Sequence, residues 1–381
     1  MTDEDLHGAL IGQQGSRREL NTPVLVLELD ALTRNIATMA AFARGHFLSL
    51  RPHAKTHKSP HIARLQMAAG AVGLCCAKIG EAEVMAENGV TTGLLITSPV
   101  VSPSAIARLI RLNRTTTGLL CVVDNPVNVA AIGHAARADG KTLKIIIDID
   151  PGIRRTGVAT PEAALEVLHA IQAEPALTYM GVQCYCGLQQ HMADFKERAG
   201  SVQDCAALMR TIIAALTGAG APPAIVTGGG TGTHRIDPGL GLFTELQAGS
   251  YVFMDSQYLA CDLTGDDADC PFETSLMIDA RVVSANTPGM ATIDAGFKAF
   301  ATDAEPPLVL AGAAAGAQYF FMGDEHGAIL MPDGGALALS DIVTLAAPHC
   351  DPTVNLYDTY HVVQGETLRA LWPVSGRGRS R

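Results

Sequence analysis

The chain is predicted to fold as an α/β protein, a (β/α)8 barrel followed by a mainly antiparallel β domain. Three observations carry that prediction. Between Thr22 and Gly265 eight short apolar, β-rich runs alternate with amphipathic stretches. Several of those stretches open on a helix-capping residue followed by proline. Beyond about Gly265 the pattern changes to short alternating runs separated by Asp, Gly and Pro, the texture of a β domain.

Taken in order, TPVLVLELD at Thr22–Asp30 reads as a strand that either joins the β domain or leads into the first helix. The helix from Asp30 to about Gly45 places Leu32, Ile36, Met39 and Phe42 on one face, so it can lie against a sheet. The eight β runs are Phe47–Pro52, Gly73–Ala77, Gly93–Ile96, Gly118–Val123, Leu143–Ile149, Met180–Tyr185, Ala224–Thr227 and Leu246–Phe253. Helix starts stand between them at Ser59-Pro60, Ser102-Pro103 and Thr160-Pro161. Parallel strands need helical crossovers and are covered on both faces, so this alternation fits a barrel, with a doubly wound sheet as the competing topology. The expected barrel spans residues 30–265. The β domain spans 266–381, joined by the N-terminal segment 1–29, with SLMIDARVVSA, ATIDAGF, GAILM, DIVTLAAP and YHVVQGETLRALWP as its strand runs and Ser375–Arg381 as a loose basic tail. Trp372 is expected to pack this domain.

The 381 residues suffice for two domains, and 48% apolar against 17% charged residues excludes a disordered, collagen-like or coiled-coil protein. A net charge of −11 argues against non-specific binding to nucleic acid or anionic membrane, which leaves small-molecule chemistry. The N-terminus lacks a basic and apolar leader pattern and no apolar run approaches the ~20 residues of a membrane span, so a cytoplasmic protein is expected. The nine cysteines form no CxxC pair and are read mostly as reduced core residues.

Chemistry in such a barrel sits at the C-terminal ends of the strands. The first run ends in Arg51-Pro52-His53-Ala54-Lys55-Thr56-His57-Lys58, and later ends supply Lys78, Asp124, Asp148, Asp150, Arg155, Tyr185 and His191. Lys55 follows a strand expected to be buried, where a desolvated amine can become a nucleophile for a carbonyl. After the seventh run comes TGGGTGT, and the eighth carries Gln247-Ala248-Gly249-Ser250-Tyr251. Glycines let backbone N–H groups approach an anion, and barrels often bind phosphate at these two loops. A lysine after strand one facing a phosphate cradle after strands seven and eight is what pyridoxal 5′-phosphate requires.

In the β domain, Pro348-His349-Cys350-Asp351-Pro352 is read as extended, so that His349 and Asp351 share a face and hold one cation while Cys350 points away. An imidazole with a carboxylate suits Mn²⁺, Zn²⁺ or a similar divalent ion, and Cys350 as the ligand instead would favour zinc. The plainer reading of the same residues is a turn before proline. His191 is expected in a loop over the barrel mouth, and Asp324-Glu325-His326-Gly327 reads equally as turn or site.

The motifs RPHAKTHK, GIRRTGV, CYCGLQQH, TGGGTGT, ELQAGSYVFMD, DEHG and PHCDPTVNLYD, in this order along nearly the whole chain, resemble those of the metal-activated D-threonine aldolases. That family is grouped with eukaryotic-type D-serine dehydratase and the 3-hydroxyaspartate aldolases and dehydratases, on an alanine-racemase-like fold. The resemblance implies Lys55 as the Schiff-base lysine and Arg155 and Tyr185 as contacts of the pyridoxal ring. It implies Gly229, Gly230, Thr231, Gly249, Ser250 and Tyr251 around the phosphate. It also implies His349 and Asp351 as metal ligands (Mn²⁺ first, with Mg²⁺, Co²⁺ or Zn²⁺ as alternatives) and His191 as the base on the substrate hydroxyl. A homodimer is implied too, with Asp324–His326 reaching the other subunit's site.

The implied reaction is retro-aldol Cα–Cβ cleavage of a D-β-hydroxy-α-amino acid to glycine and an aldehyde, D-threonine being the type substrate. The alternatives are a D-3-hydroxyaspartate aldolase giving glycine and glyoxylate, or a D-serine or 3-hydroxyaspartate dehydratase giving a 2-oxo acid and ammonia. The dehydratases of the group present His-x-Cys where this chain presents His349-x-Asp351, which favours the aldolase. A racemase would need a tyrosine base from the β domain opposite the lysine, and the sequence shows no clear equivalent, Tyr357 and Tyr360 being the tyrosines left to consider. A metal-only hydrolase would leave Lys55 and TGGGTGT unexplained.

Overall fold

The computed structural model describes residues 1–266, 268–332 and 335–381. Strand β1 (Val24–Glu28) comes first, and its last residue caps the helix Leu29–Gly45, the Glu28 carboxylate accepting the Ala31 N–H at 2.7 Å. The barrel strands follow: β2 (Ser49–Leu50), β3 (Cys75–Cys76), β4 (Leu95–Ile96), β5 (Leu120–Val123), β6 (Leu143–Ile149), β7 (Leu177–Cys184), β8 (Ile225–Gly228) and β9 (Glu245–Leu246). They form one parallel sheet in the order β2-β9-β8-β7-β6-β5-β4-β3. A parallel bridge between His53 and Cys75, with Cys75 N–H on the Pro52 carbonyl at 2.8 Å, brings the two ends of that sheet together. The doubly wound alternative is thereby set aside.

Alternate residues along these strands separate into two cores. Cys76, Ile96, Cys121, Val123, Ile145 and Ile147 face the outer helices, such as Pro103–Thr115 and Pro161–Gln172, both of which start where Ser-Pro and Thr-Pro predicted. Cys75, Leu95, Leu120, Val122 and Ile146 fill the barrel interior. The interior also holds a buried ion pair, Arg51 Nε to Glu245 Oε1 at 3.1 Å, tying β2 to β9. Gly73 and Gly93 make room for it, since a Cβ on Gly73 would lie 2.5 Å from the Arg51 guanidinium. The first and last β runs are shorter than predicted. Phe47 is 97% exposed in a left-handed turn, and residues 250–252 form a 3-10 turn.

The second layer is a sheet of β10 (Leu276–Thr287), β11 (Met290–Ile293), β12 (Leu308–Ala311), β13 (Gln318–Phe321), β14 (Gly327–Leu330), β15 (Ile342–Ala346), β16 (Thr359–Gln364) and β17 (Thr367–Pro373) together with β1. β1 lies inside it, antiparallel to β10 and parallel to β16, and so does both things that the sequence left open. β12 (LVLA) and β13 (QYFF) were not foreseen; each is a four-residue, apolar-rich run that is at least half exposed, too short to show a period of its own. Leu32, Ile36 and Met39 of the first helix join Tyr251 and Phe253 from the loop after β9 and Leu276, Ile278, Val343 and Leu345 of the sheet in a common core, which fixes the β domain against the barrel mouth. Trp372 stacks on His61 of the helix Pro60–Ala68. The C-terminal tail is not loose. Gly376 N–H donates to the Lys58 carbonyl and Gly80 N–H to the Arg381 carbonyl. Of the nine cysteines, all unpaired, seven are buried. No helix among the described residues is long and apolar enough to cross a membrane.

Candidate active site

The residues after β2 divide by direction. Arg51 turns into the barrel, and Lys58 is buried with its ammonium 2.6 Å from Glu81. His53 and Lys55 turn into a cavity of about 480 Å³ at the C-terminal end of the barrel, shared with Lys78, Asp124, Arg155, Gln183, Tyr185 and Gln247. A narrower recess continues from it between the barrel and the β domain, lined by Thr56, His191, Gly230, Thr231, Gly249, Ser250, Tyr258, His349 and Asp351. Beneath, Gln183 bonds Asp148 at 2.9 Å and accepts from Gln247 at 3.1 Å. Burial pushes the Asp148 carboxyl up to about 6. A larger groove of about 720 Å³, lined by Arg17, Asp279 and Arg281 among others, lies on the β domain and contains none of these residues.

Lys55 Nζ stands 3.1 Å from Asp351 Oδ2. The Asp351 carboxylate outweighs burial and raises the ammonium above its ordinary value. Burial alone would raise the Asp351 carboxyl, but Lys55 and His349 pull it well below the usual carboxylate range. The extended reading of 348–352 is also corrected. Cys350–Val354 is a short helix with His349 at its N-cap, and the Asp255 carboxylate accepts the Cys350 N–H at 2.9 Å. His349 and Asp351 still line one recess, while Cys350 is buried.

Among the implied phosphate residues, Gly230, Thr231, Gly249 and Ser250 line the recess; Gly229 and Tyr251 stand behind it. Gly229 makes the turn at φ 68°, and the Tyr251 hydroxyl points away to Gln66 at 3.1 Å. The amides of Thr231, Gly249 and Ser250 have no hydrogen-bond acceptor among the described residues. Thr56 Oγ1, fully buried, has no partner either. A Cβ on Gly249 would lie 2.7 Å from that hydroxyl and one on Gly230 would lie 2.3 Å from Gln190 Oε1. This is a set of unsatisfied donors around glycine backbone, a cradle fitted to an anion. Gln190, the neighbour of His191, braces the cradle, accepting from Gly232 N–H at 3.0 Å and donating to Cys186 O at 3.1 Å and Thr233 Oγ1 at 3.2 Å.

Arg155 stands over the Tyr185 ring at 5.7 Å. His191 sits at the rim with one face exposed and the other against Tyr258, ring centroids 4.5 Å apart; His349 is 6.3 Å away. Lost hydration, then the His349 and Lys55 charges, push its imidazole down to about 4, so it is neutral and able to accept a proton. Tyr258, Gln183, Thr56 and Asp303, which bonds His349 Nδ1 at 2.8 Å, were not singled out from sequence. Asp324–His326 form a hairpin turn between β13 and β14 outside both cavities.

Among the described residues one trio of ligand atoms lies within 4.8 Å of one another, and it is Asp3, His7 and His361 rather than a group around His349. Asn21 N–H donates to His7 Nε2 at 3.0 Å, so His7 carries its proton on Nδ1 and passes it to His361 Nε2 at 2.8 Å. This trio is a hydrogen-bonded histidine pair beside a carboxylate.

Comparison with known proteins identifies the family. Residues 27–257 match the alanine racemase N-terminal domain family and residues 275–363 the serine dehydratase domain family. The chain is 39% identical over 364 residues to 3-hydroxy-D-aspartate aldolase of Paracoccus denitrificans, covering 95% of this chain and 93% of that one. It is 36% identical over 363 residues to D-threonine aldolase of Arthrobacter sp, covering 95% and 94%. The crystal structure of D-threonine aldolase from Filomicrobium marinum superposes with a TM-score of 0.90 at 36% identity, covering 95% and 97%. The chain therefore belongs to the alanine-racemase-like family of aldolases, carbon–carbon lyases to which these relatives also belong.

Proposed function

We propose that the protein is a pyridoxal phosphate- and divalent-metal-dependent aldolase that cleaves D-β-hydroxy-α-amino acids to glycine and an aldehyde, with D-threonine as the type substrate. The observation that supports it most is convergence. A lysine, an unsatisfied anion cradle, a neutral histidine and a His–Asp pair from five separated segments line one continuous space.

When bound, the cofactor supplies an electron sink for the bond that breaks. The chain's own residues do the rest. Lys55 holds the cofactor by its amine, and the Thr231, Gly249 and Ser250 amides with the Thr56 hydroxyl hold its phosphate, on a loop shaped by Gly229, Gly230 and Tyr251. Arg155 and Tyr185 flank the ring. His349 and Asp351 are the donors for the metal, Mn²⁺ first, and a cation there would lower the pKa of a substrate hydroxyl. His191, neutral and across the recess from His349, accepts that proton as general base.

A second reading, a 3-hydroxy-D-aspartate aldolase, is favoured by Lys78 in the wider cavity, which gives it a cation for a second carboxylate. The test is a product assay on D-threonine, L-threonine, D-serine and D-3-hydroxyaspartate, each with Mn²⁺ and with chelator. Glycine plus aldehyde from D-substrates, lost on chelation, is the expected result, and the preferred substrate separates the two readings. Ammonia plus a 2-oxo acid would overturn both in favour of a dehydratase.

A further inference from the structure

We propose that Asp303 is a positioning residue that fixes the tautomer and orientation of His349 as a metal donor; this rests on the reading of His349 as a ligand. Asp303 Oδ2 is 2.8 Å from His349 Nδ1. A carboxylate only accepts, so the proton of a neutral His349 lies on Nδ1 and Nε2 keeps its lone pair. His349 lines the recess with Asp351 while Asp303 lies outside it, so the bonded nitrogen faces away from the cavity and the lone pair is the one left for a cation.

The contact is built into the fold. Asp303 lies in the loop before β12, and two residues earlier the Ala301 N–H donates to Thr353 Oγ1 at 3.0 Å. The same hydroxyl donates to the His349 carbonyl at 2.7 Å, so one buried threonine ties the Asp303 loop to the N-cap that carries His349. The Tyr357 hydroxyl donates to the Ala299 carbonyl at 2.9 Å, a second tie between the loop and the segment that follows the short helix. The Asp303 side chain is itself 54% exposed, so its removal leaves no buried group stranded.

Mn²⁺ affinity of the full-length protein, read from the electron paramagnetic resonance signal of free Mn²⁺ during titration, tests this without recourse to turnover. Asp303→Ala is expected to weaken Mn²⁺ binding about 10- to 100-fold, with Asp303→Asn in between and His349→Ala lowest. Metal-free melting of the Asp303 variants is expected to match the parent. Affinity within twofold of the parent in Asp303→Ala, with His349→Ala still impaired, overturns the role of Asp303 alone. Unimpaired binding in His349→Ala, or none in the parent, overturns the metal reading and this role with it. Weakened binding accompanied by an equally lowered metal-free melting point also overturns it, by assigning the effect to the fold.

Discussion

Replacing Gly230 with alanine tests the cradle at its tightest point. The new Cβ would lie 2.3 Å from Gln190 Oε1 and 2.7 Å from its Cδ, well inside contact distance. A flexible glutamine end would ordinarily swing away at little cost. Gln190 is fully buried and makes three hydrogen bonds, to Gly232, Cys186 and Thr233, which it must give up to move. With each buried bond worth about 1 kcal/mol net and stranded donors costing somewhat more, the loop loses about 2–4 kcal/mol of preference for its present shape. If that shape is what holds the phosphate, affinity for pyridoxal phosphate falls about 30- to 1,000-fold. Titration of cofactor-free protein with pyridoxal phosphate, followed by visible absorbance, measures it directly. Unchanged affinity in a folded Gly230→Ala protein would falsify the assignment of this loop as the phosphate site.

Other outcomes follow from the same geometry. Lys55→Ala is expected to abolish the visible absorbance of bound cofactor, and a variant that keeps it would remove Lys55 from its role. His191→Ala should retain that absorbance yet lose turnover on D-threonine, so full activity would dismiss it as the base. Glu81→Ala strands the buried Lys58 ammonium, at a cost of about 3–5 kcal/mol, and should lower the melting midpoint by about 4–6 °C; an unchanged midpoint would mean the pair is not buried as described. Burial raises the Asp237 carboxyl from 3.8 to about 7. Between these values the folded chain binds the extra proton, so stability falls as pH rises through that window, by up to about 4 kcal/mol. Asp237→Asn should flatten this slope, seen as denaturation midpoints at pH 5 and pH 8 that converge; identical pH dependence in the two proteins would refute it.

Much of this was legible in the amino-acid order because local chemistry wrote it there. Pro103 and Pro161 sit at helix starts because a missing N–H costs nothing in the first turn, so those boundaries could be read directly. The barrel strands were legible because both faces are buried and each run must be apolar. Lys55 and TGGGTGT stood out because an amine and a glycine-rich turn at strand ends have few structural uses. β12 and β13 were missed because runs of four residues are too short to write a period, and the helix at Cys350–Val354 was misread because its N-terminus is satisfied by Asp255, almost a hundred residues away in sequence.

By itself, then, the sequence determined the alternation of elements, the two-part architecture and the residue types that meet a cofactor, since these depend on propensity, periodicity and backbone freedom within a few residues. The tertiary structure decided which of several basic residues faces the cavity, sending Arg51 to Glu245 and Lys58 to Glu81 and leaving Lys55 to meet Asp351. It also decided that Gln190 braces the cradle and that Asp303 reaches His349. Charge pairing and hydrogen-bond satisfaction act between atoms a few ångströms apart in space, and separation along the chain carries no record of that distance until the barrel and the sheet have packed.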